Sequence, residues 1–134
     1  MSILARATAA ELRAYAADAP TLPVHVRLRG PEIGLVMLRG RMGGDGGPFN
    51  VSEATVTRCT VTMEGRMGHA TVLGRDPGQA ELAAALDAAL QDPALGLLTR
   101  VVEPLAAAQA EARARTARRA EATRVQFFTL AAMR

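Results

Sequence analysis

EATVTRCTVTME, residues 53–64, decides how the chain is read. Ala54, Val56, Arg58, Thr60 and Thr62 fall on one side of an extended backbone; Thr55, Thr57, Cys59, Val61 and Met63 fall on the other. Thr and Val at this density favour strand over helix. Gly65 marks a turn, and RMGHATVLG, residues 66–74, reads as the returning strand. Upstream, IGLVMLRGR at 33–41 reads as another strand, and PVHVRLRG at 23–30 as a fourth. In that fourth segment Val24, Val26 and Leu28 alternate with His25, Arg27 and Arg29, the period of a half-buried strand. Gly30-Pro31-Glu32 is a turn signal between these two. Short turns between consecutive strands predict an antiparallel meander.

Helical patterns flank the strands. Thr8 with Glu11 resembles a capping box for a helix over 8–17, ended by Pro20 and Pro23. After Gly74, Asp76 suits an N-cap, Pro77 the first helical position, and Gln79 the third. Leu82, Leu86 and Leu90, with Ala83, form an apolar stripe fit to cover one sheet face. Pro93 opens a short helix carrying Leu95, Leu97, Leu98, Val101 and Val102, and Pro104 breaks or restarts it. Residues 106–125 favour helix but carry almost no large apolar side chain, so that helix is solvated or laid against another chain. The closing VQFFTLAAM holds two of the three phenylalanines and must dock on its own sheet or on a partner. The expected fold is a single α+β domain, residues 1–134. It has a four-stranded antiparallel meander, an N-terminal helix and two to three C-terminal helices.

All 16 basic residues are Arg, against 13 acids, a net charge of +3. Without Lys the chain has neither a Schiff-base nucleophile nor a lysine grip on phosphate. The balance admits an anionic partner, but compositional bias explains it more simply than nucleic-acid binding, which clusters charge with stacking aromatics. Isolated Cys59 suits a reducing compartment. The N-terminus lacks the basic and apolar regions of a signal peptide, and no segment approaches the ~18 apolar residues of a membrane span. A cytoplasmic protein is expected.

The catalytic inventory is short: His25 and His69, and Ser2 and Ser52. No metal-ligand spacing is present, and no cofactor or metal is expected on this chain. His69 is the one weak catalytic candidate; Cys59 lacks an activating neighbour in sequence. RMGGDGGPFN, residues 41–50, forms a connection of about ten residues. It lacks the Lys and the following helix of a phosphate loop, and Pro48 removes a donor, so it reads as an interface or specialised loop before a phosphate cradle. Arg75 beside the next helix start is a better anion candidate, although Asp76 as cap satisfies the same donors.

GLVMLRGRMGGDGGPFNVSEATVTRC, then GHATVLGRD, AELAAALDAALQ, VVEPL and ATRVQFFT in that order, resembles the PhnG family, the G subunit of the bacterial carbon–phosphorus lyase core complex. The similarity runs from about Ile33 to the C-terminus. It implies a cytoplasmic subunit assembled with the I, H and J subunits, with self-association possible when isolated. It further implies that the complex uses MgATP, a phosphonate displacing adenine to give ribose 1-phosphonate 5-triphosphate, with catalysis attributed to I and this chain as accessory. Positions carried over from the resemblance are Arg41, Gly43, Gly44, Phe49 and Asn50; Glu53, Thr57, Arg58 and Cys59; Gly74, Arg75 and Asp76; and Thr123, Phe127, Phe128 and Thr129. Val51-Ser52 and Gln126 depart from the family pattern. A stand-alone binding module for nucleic acid or phosphate-containing ligands is the alternative.

Overall fold

Glu64 and Gly65, both with positive φ (50° and 81°), make a two-residue turn that folds 53–63 back on 66–73. The computed structural model describes residues 1–17, 21–43 and 45–125. Among these, a three-stranded antiparallel sheet runs in the order β1 (Val26–Arg41), β2 (Pro48–Met63), β3 (Arg66–Leu73). Around it stand α1 (Ser2–Arg6), α2 (Ala9–Ala17), α3 (Pro77–Ala89) and α4 (Glu103–Ala122).

The expected fourth strand does not exist. Residues 23–30 and 33–41 do not turn back on each other; from Val26 onward they form one long strand, β1, paired along β2 from Val26↔Thr62 to Arg41↔Pro48. Gly30 (φ 66°) and the cis Gly30–Pro31 bond produce an irregularity within this strand instead of a turn. Between the Arg29↔Thr60 and Glu32↔Arg58 pairs, two residues of β1, Gly30 and Pro31, oppose one of β2, Cys59. The glycine-rich connection is also shorter than expected. β2 begins at Pro48, absorbing Phe49 and Asn50, so that residues 42–47 alone join the strands.

The face of the first segment is inverted. Val24 is 90% exposed, and Val26 and Leu28 are also exposed. His25 Nε2 and Arg27 Nε instead meet Glu81 Oε1 of α3 at 3.2 and 3.0 Å. β1 lies beyond the strip of sheet that α3 covers, so a carboxylate at the helix margin draws polar side chains inward.

The core is the inner face of β2 and β3 under α3. Thr57, Cys59, Val61 and Met63 are buried, as the alternation predicts, with Gly68, Ala70 and Val72 beside them. A Cβ at Gly68 would collide with Ala84 O and lie 2.5 Å from Ala88 N, so α3 rests directly on β3 backbone. Ala80, Ala83, Ala84, Ala85, Ala88 and Ala89 are all buried around Leu86, a broader and smaller-toothed face than a leucine stripe. Asp76 caps α3, accepting from Gln79 N at 2.8 Å. Leu4, Leu12, Leu97, Val101 and Leu105 close the core's remaining sides. The capping box forms: Glu11 N donates to Thr8 Oγ1 (3.2 Å), and Thr8 N donates to Glu11 Oε2 (2.7 Å). Pro93 opens only a 3-10 turn, Pro93–Leu95, followed by a π turn, Leu98–Val102, from which α4 starts with Pro104 in its first turn.

Gly68→Val is expected to destabilise the chain by at least about 2 kcal/mol, read as a lowered urea midpoint, because the helix must lift off the strand. Hydrogen bonds from the Thr8 backbone, then from its hydroxyl, lower the Glu11 carboxyl pKa below its ordinary value. A depressed folded pKa stabilises fully above the unfolded value of about 4.3 and is lost as pH falls through the folded one. The stability gap between wild type and Glu11→Gln should therefore be widest near neutrality and shrink as urea unfolding is repeated from pH 5 downward.

Candidate functional site

Past the Val56↔Leu73 pair, β3 ends while β1 and β2 continue as a two-stranded arm to the 42–47 connection. Ile33, Leu35 and Met37 lie on the face shared with Thr55 and Thr57; Val36 and Leu38 lie on the opposite face with Ala54 and Ser52. All five are exposed, Leu35 at 63%, and so are Phe49 (42%), Val51 and Met42. An isolated two-stranded hairpin is marginal in water, and apolar side chains uncovered on both faces mark a surface that other molecules cover.

The expected site residues fall in several places. Arg41, Gly43, Phe49, Asn50 and Glu53 come together on the arm. Arg41 Nη1 donates to Gly46 O at 3.2 Å, tying the connection to the end of β1. Gly43 (φ 63°) has open space where a side chain would stand. Phe49 opposes Gly40, Asn50 opposes Arg39 and Glu53 opposes Met37; Asn50 and Glu53 are exposed. Gly44, Phe127, Phe128 and Thr129 lie outside the described residues.

Gly74 and Arg75 sit at the arm's root, where Gly74 N donates to Thr55 O (2.8 Å) and buried Thr57 Oγ1 donates to Gly74 O (2.8 Å). Arg75 is exposed, and Asp76 is occupied as the α3 cap. The anion reading of that helix start therefore loses its free donors in part, as the cap reading expects. Thr123 lies at the other end of the molecule's helical part, donating its hydroxyl to Ala120 O (3.0 Å) at the end of α4. α4 is exposed from residue 110 onward, which leaves Arg113, Arg115, Arg118 and Arg119 in solvent.

Arg58 and His69 share the outer face of the sheet. Thr60 Oγ1 and His69 Nδ1 are 3.2 Å apart, and Arg58 Nη2 is 4.0 Å from Glu32 Oε2. With Arg29 and Thr71 they line a hollow of about 200 Å³. Cys59 is buried on the inner side, where burial and then the Glu81 carboxylate push its thiol pKa up, away from the nucleophilic thiolate. Among the described residues no three His, Cys, Asp or Glu side chains gather as metal ligands, and no described helix is long and apolar enough to cross a membrane.

Reading the sequence missed Arg29, Glu32, Thr60 and Thr71 as a group, and it missed the apolar arm. The outward positions of Thr60, His69 and Thr71 were present in the strand alternation. The placing of Arg29 and Glu32 depends on the irregularity at Gly30-Pro31, which the residue types suggested only as a turn.

Residues 1–132 match the family model described as phosphonate metabolism protein PhnG, so the similarity extends through the N-terminal helices as well. A relative from Rhizobium meliloti (strain 1021), the alpha-D-ribose 1-methylphosphonate 5-triphosphate synthase subunit PhnG, is 44% identical over 132 residues, covering 97% of this chain and 85% of its own length. On that match and that identity, the chain belongs to the PhnG family.

Proposed function

We propose that this chain is an accessory subunit of a ribose 1-methylphosphonate 5-triphosphate synthase acting in phosphonate breakdown. In this reading a phosphonate displaces adenine from MgATP at the ribose anomeric carbon. That is a transferase reaction, carried out in the cytoplasm by an assembly with the I, H and J subunits of the carbon–phosphorus lyase core complex. MgATP and the catalytic groups belong to the assembly, and this chain contributes surface that orders its partners.

The 44% identical relative, which is named as a subunit of that synthase, supports this assignment. The accessory role is carried by one observation, the arm whose two faces are apolar and uncovered. Such a surface is what a subunit keeps for its neighbours, since burial on assembly recovers roughly 25 cal/mol for each Å² of apolar area. Two features are consistent with it. Cys59 is sheltered with its pKa raised, and the His69 ring meets Thr60 with no carboxylate on it among the described residues, so neither shows the partners of an activated nucleophile or base there.

Co-expression with the neighbouring subunits is expected to yield a stable complex from which this chain does not wash off. Leu35→Asp combined with Phe49→Ala should weaken capture at least about tenfold, each tenfold being about 1.4 kcal/mol. Both side chains are exposed, so unfolding stability of the variant should stay within about 0.5 kcal/mol of wild type. Full retention of the double variant in the complex would show that the arm is not the contact. Incubated alone with MgATP and methylphosphonate, the chain should release no adenine by chromatography, and release should begin when partner subunits are added. Turnover by the lone chain would overturn the accessory role.

A further inference from the structure

The outer face of the sheet carries a hollow bordered by polar side chains, apart from the apolar arm. Strand register sets Arg29, Thr60 and His69 side by side across the three strands, and Glu32, Arg58 and Thr71 in the adjacent row. In a regular strand Arg29 and Glu32, three residues apart, would face opposite ways. The additional β1 residue between them brings both to this face. Arg29, Arg58, Cys59, Thr60, His69 and Thr71 line a hollow of about 200 Å³, with Glu32 beside it.

Its charges do not cancel. Glu32 is already engaged by Arg29, whose Nε lies 3.0 and 3.2 Å from its two oxygens and whose Nη2 lies 3.0 Å from one of them. The Arg29 hydrogen bond holds the Glu32 carboxyl below its ordinary pKa, so it is ionised and committed. Arg58 reaches the same carboxylate only at 4.0 Å, beyond hydrogen-bond distance. Its guanidinium therefore keeps its fork of five N–H donors for another acceptor. The Thr71 hydroxyl is one more donor on the lining, and with His69 Nδ1 beside Thr60, Nε2 is the ring nitrogen left over. Two guanidiniums against one carboxylate, with hydroxyls alongside, suit the paired oxygens of a tetrahedral oxyanion.

We propose that this hollow binds a phosphorus oxyanion, a phosphate or phosphonate group, with Arg58 as the main ligand, Arg29 and His69 flanking it and Thr71 donating its hydroxyl. The site rests on the sheet's register and is independent of which subunits cover the arm. Titration calorimetry of the full chain in low salt, with inorganic phosphate and methylphosphonate as separate probes, tests it. Saturable binding of at least one probe at a single site is expected, weakening as salt rises. Arg58→Gln should weaken it at least about tenfold, and Thr71→Val to a smaller extent. Arg113→Gln and Arg118→Gln, exposed on α4 and outside the hollow, should leave it unchanged. Arg58→Lys keeps the charge without the fork and should fall between wild type and Arg58→Gln, with thermal unfolding confirming that all variants fold. The tighter of the two probes identifies which oxyanion the site takes. No binding of either probe at about 10 mM, far above the ~1 mM that corresponds to −4.1 kcal/mol, would overturn the proposal. So would binding that Arg58→Gln leaves intact. A chain that takes phosphate but captures no partner subunit would support this site while removing the assembly reading.

Discussion

The close approach of α3 to β3 at Gly68 is the constraint on which the structure depends. Only a residue without a side chain lets the helix backbone at Ala84 and Ala88 sit against the strand. That proximity requires small residues on the helix too, which explains why its buried face is mainly alanine. Each alanine contributes little area, but dense packing at short range recovers dispersion contacts that larger, looser side chains would forgo. The same helix and the turn that follows it finish the outer strand. Asp87 Oδ2 accepts from His69 N at 3.1 Å, and Gln91 Nε2 donates to Met67 O at 2.6 Å, which satisfies edge groups of β3 that would otherwise be open.

A helix so close to β2 and β3 reaches the β1 side chiefly through Glu81, which meets Arg27 of β1 and His25 just ahead of it, and the arm beyond Gly34 receives no covering helix among the described residues. The apolar side chains of the arm are thus a consequence of where the core was placed. Ile33, Leu35 and Met37 continue the inner face of the sheet past the point where anything lies over it. Their counterparts Val36 and Leu38 on the reverse make the arm apolar on both sides.

Local chemistry was the legible part of the sequence. Thr8 with Glu11, Asp76 with Gln79, the Glu64-Gly65 turn and the alternation of Thr57, Cys59, Val61 and Met63 are decided within a few residues, and each appears where the residue types put it. Gly30-Pro31 was misread because the same dipeptide serves a reversal or a bulge, and β2, thirty residues on, decides between them. The inward face of 23–30 was misread for a related reason: alternation gives a period, but Glu81 on a distant helix chooses which phase faces in. The candidate site followed the same division. Arg41, Phe49, Asn50 and Glu53, carried over from the family resemblance, lie close together along the chain, whereas the grouping of Arg29 with Arg58 exists only through strand register.

The two edges of the sheet are treated differently, and that difference bears on how a PhnG-family chain meets its surroundings. β3 is closed by Asp87 of α3 and by Gln91 in the turn just past its end. β1, twice as long at 16 residues against 8, carries no equivalent closure among the described residues. A long, apolar, unprotected edge is an aggregation hazard that folded chains ordinarily blunt with charge, proline or a covering element. Here the charges Arg27, Arg29 and Glu32 and the residue Pro31 cluster at the core end, and from Ile33 to Leu38 there is none. The protection is therefore interrupted along one strand: charges stand beside the core and again, as Arg39 and Arg41, at the arm's tip, and the apolar run Ile33–Leu38 lies between them. Arginines framing an apolar run limit uncontrolled pairing of the edge while leaving its middle apolar and exposed.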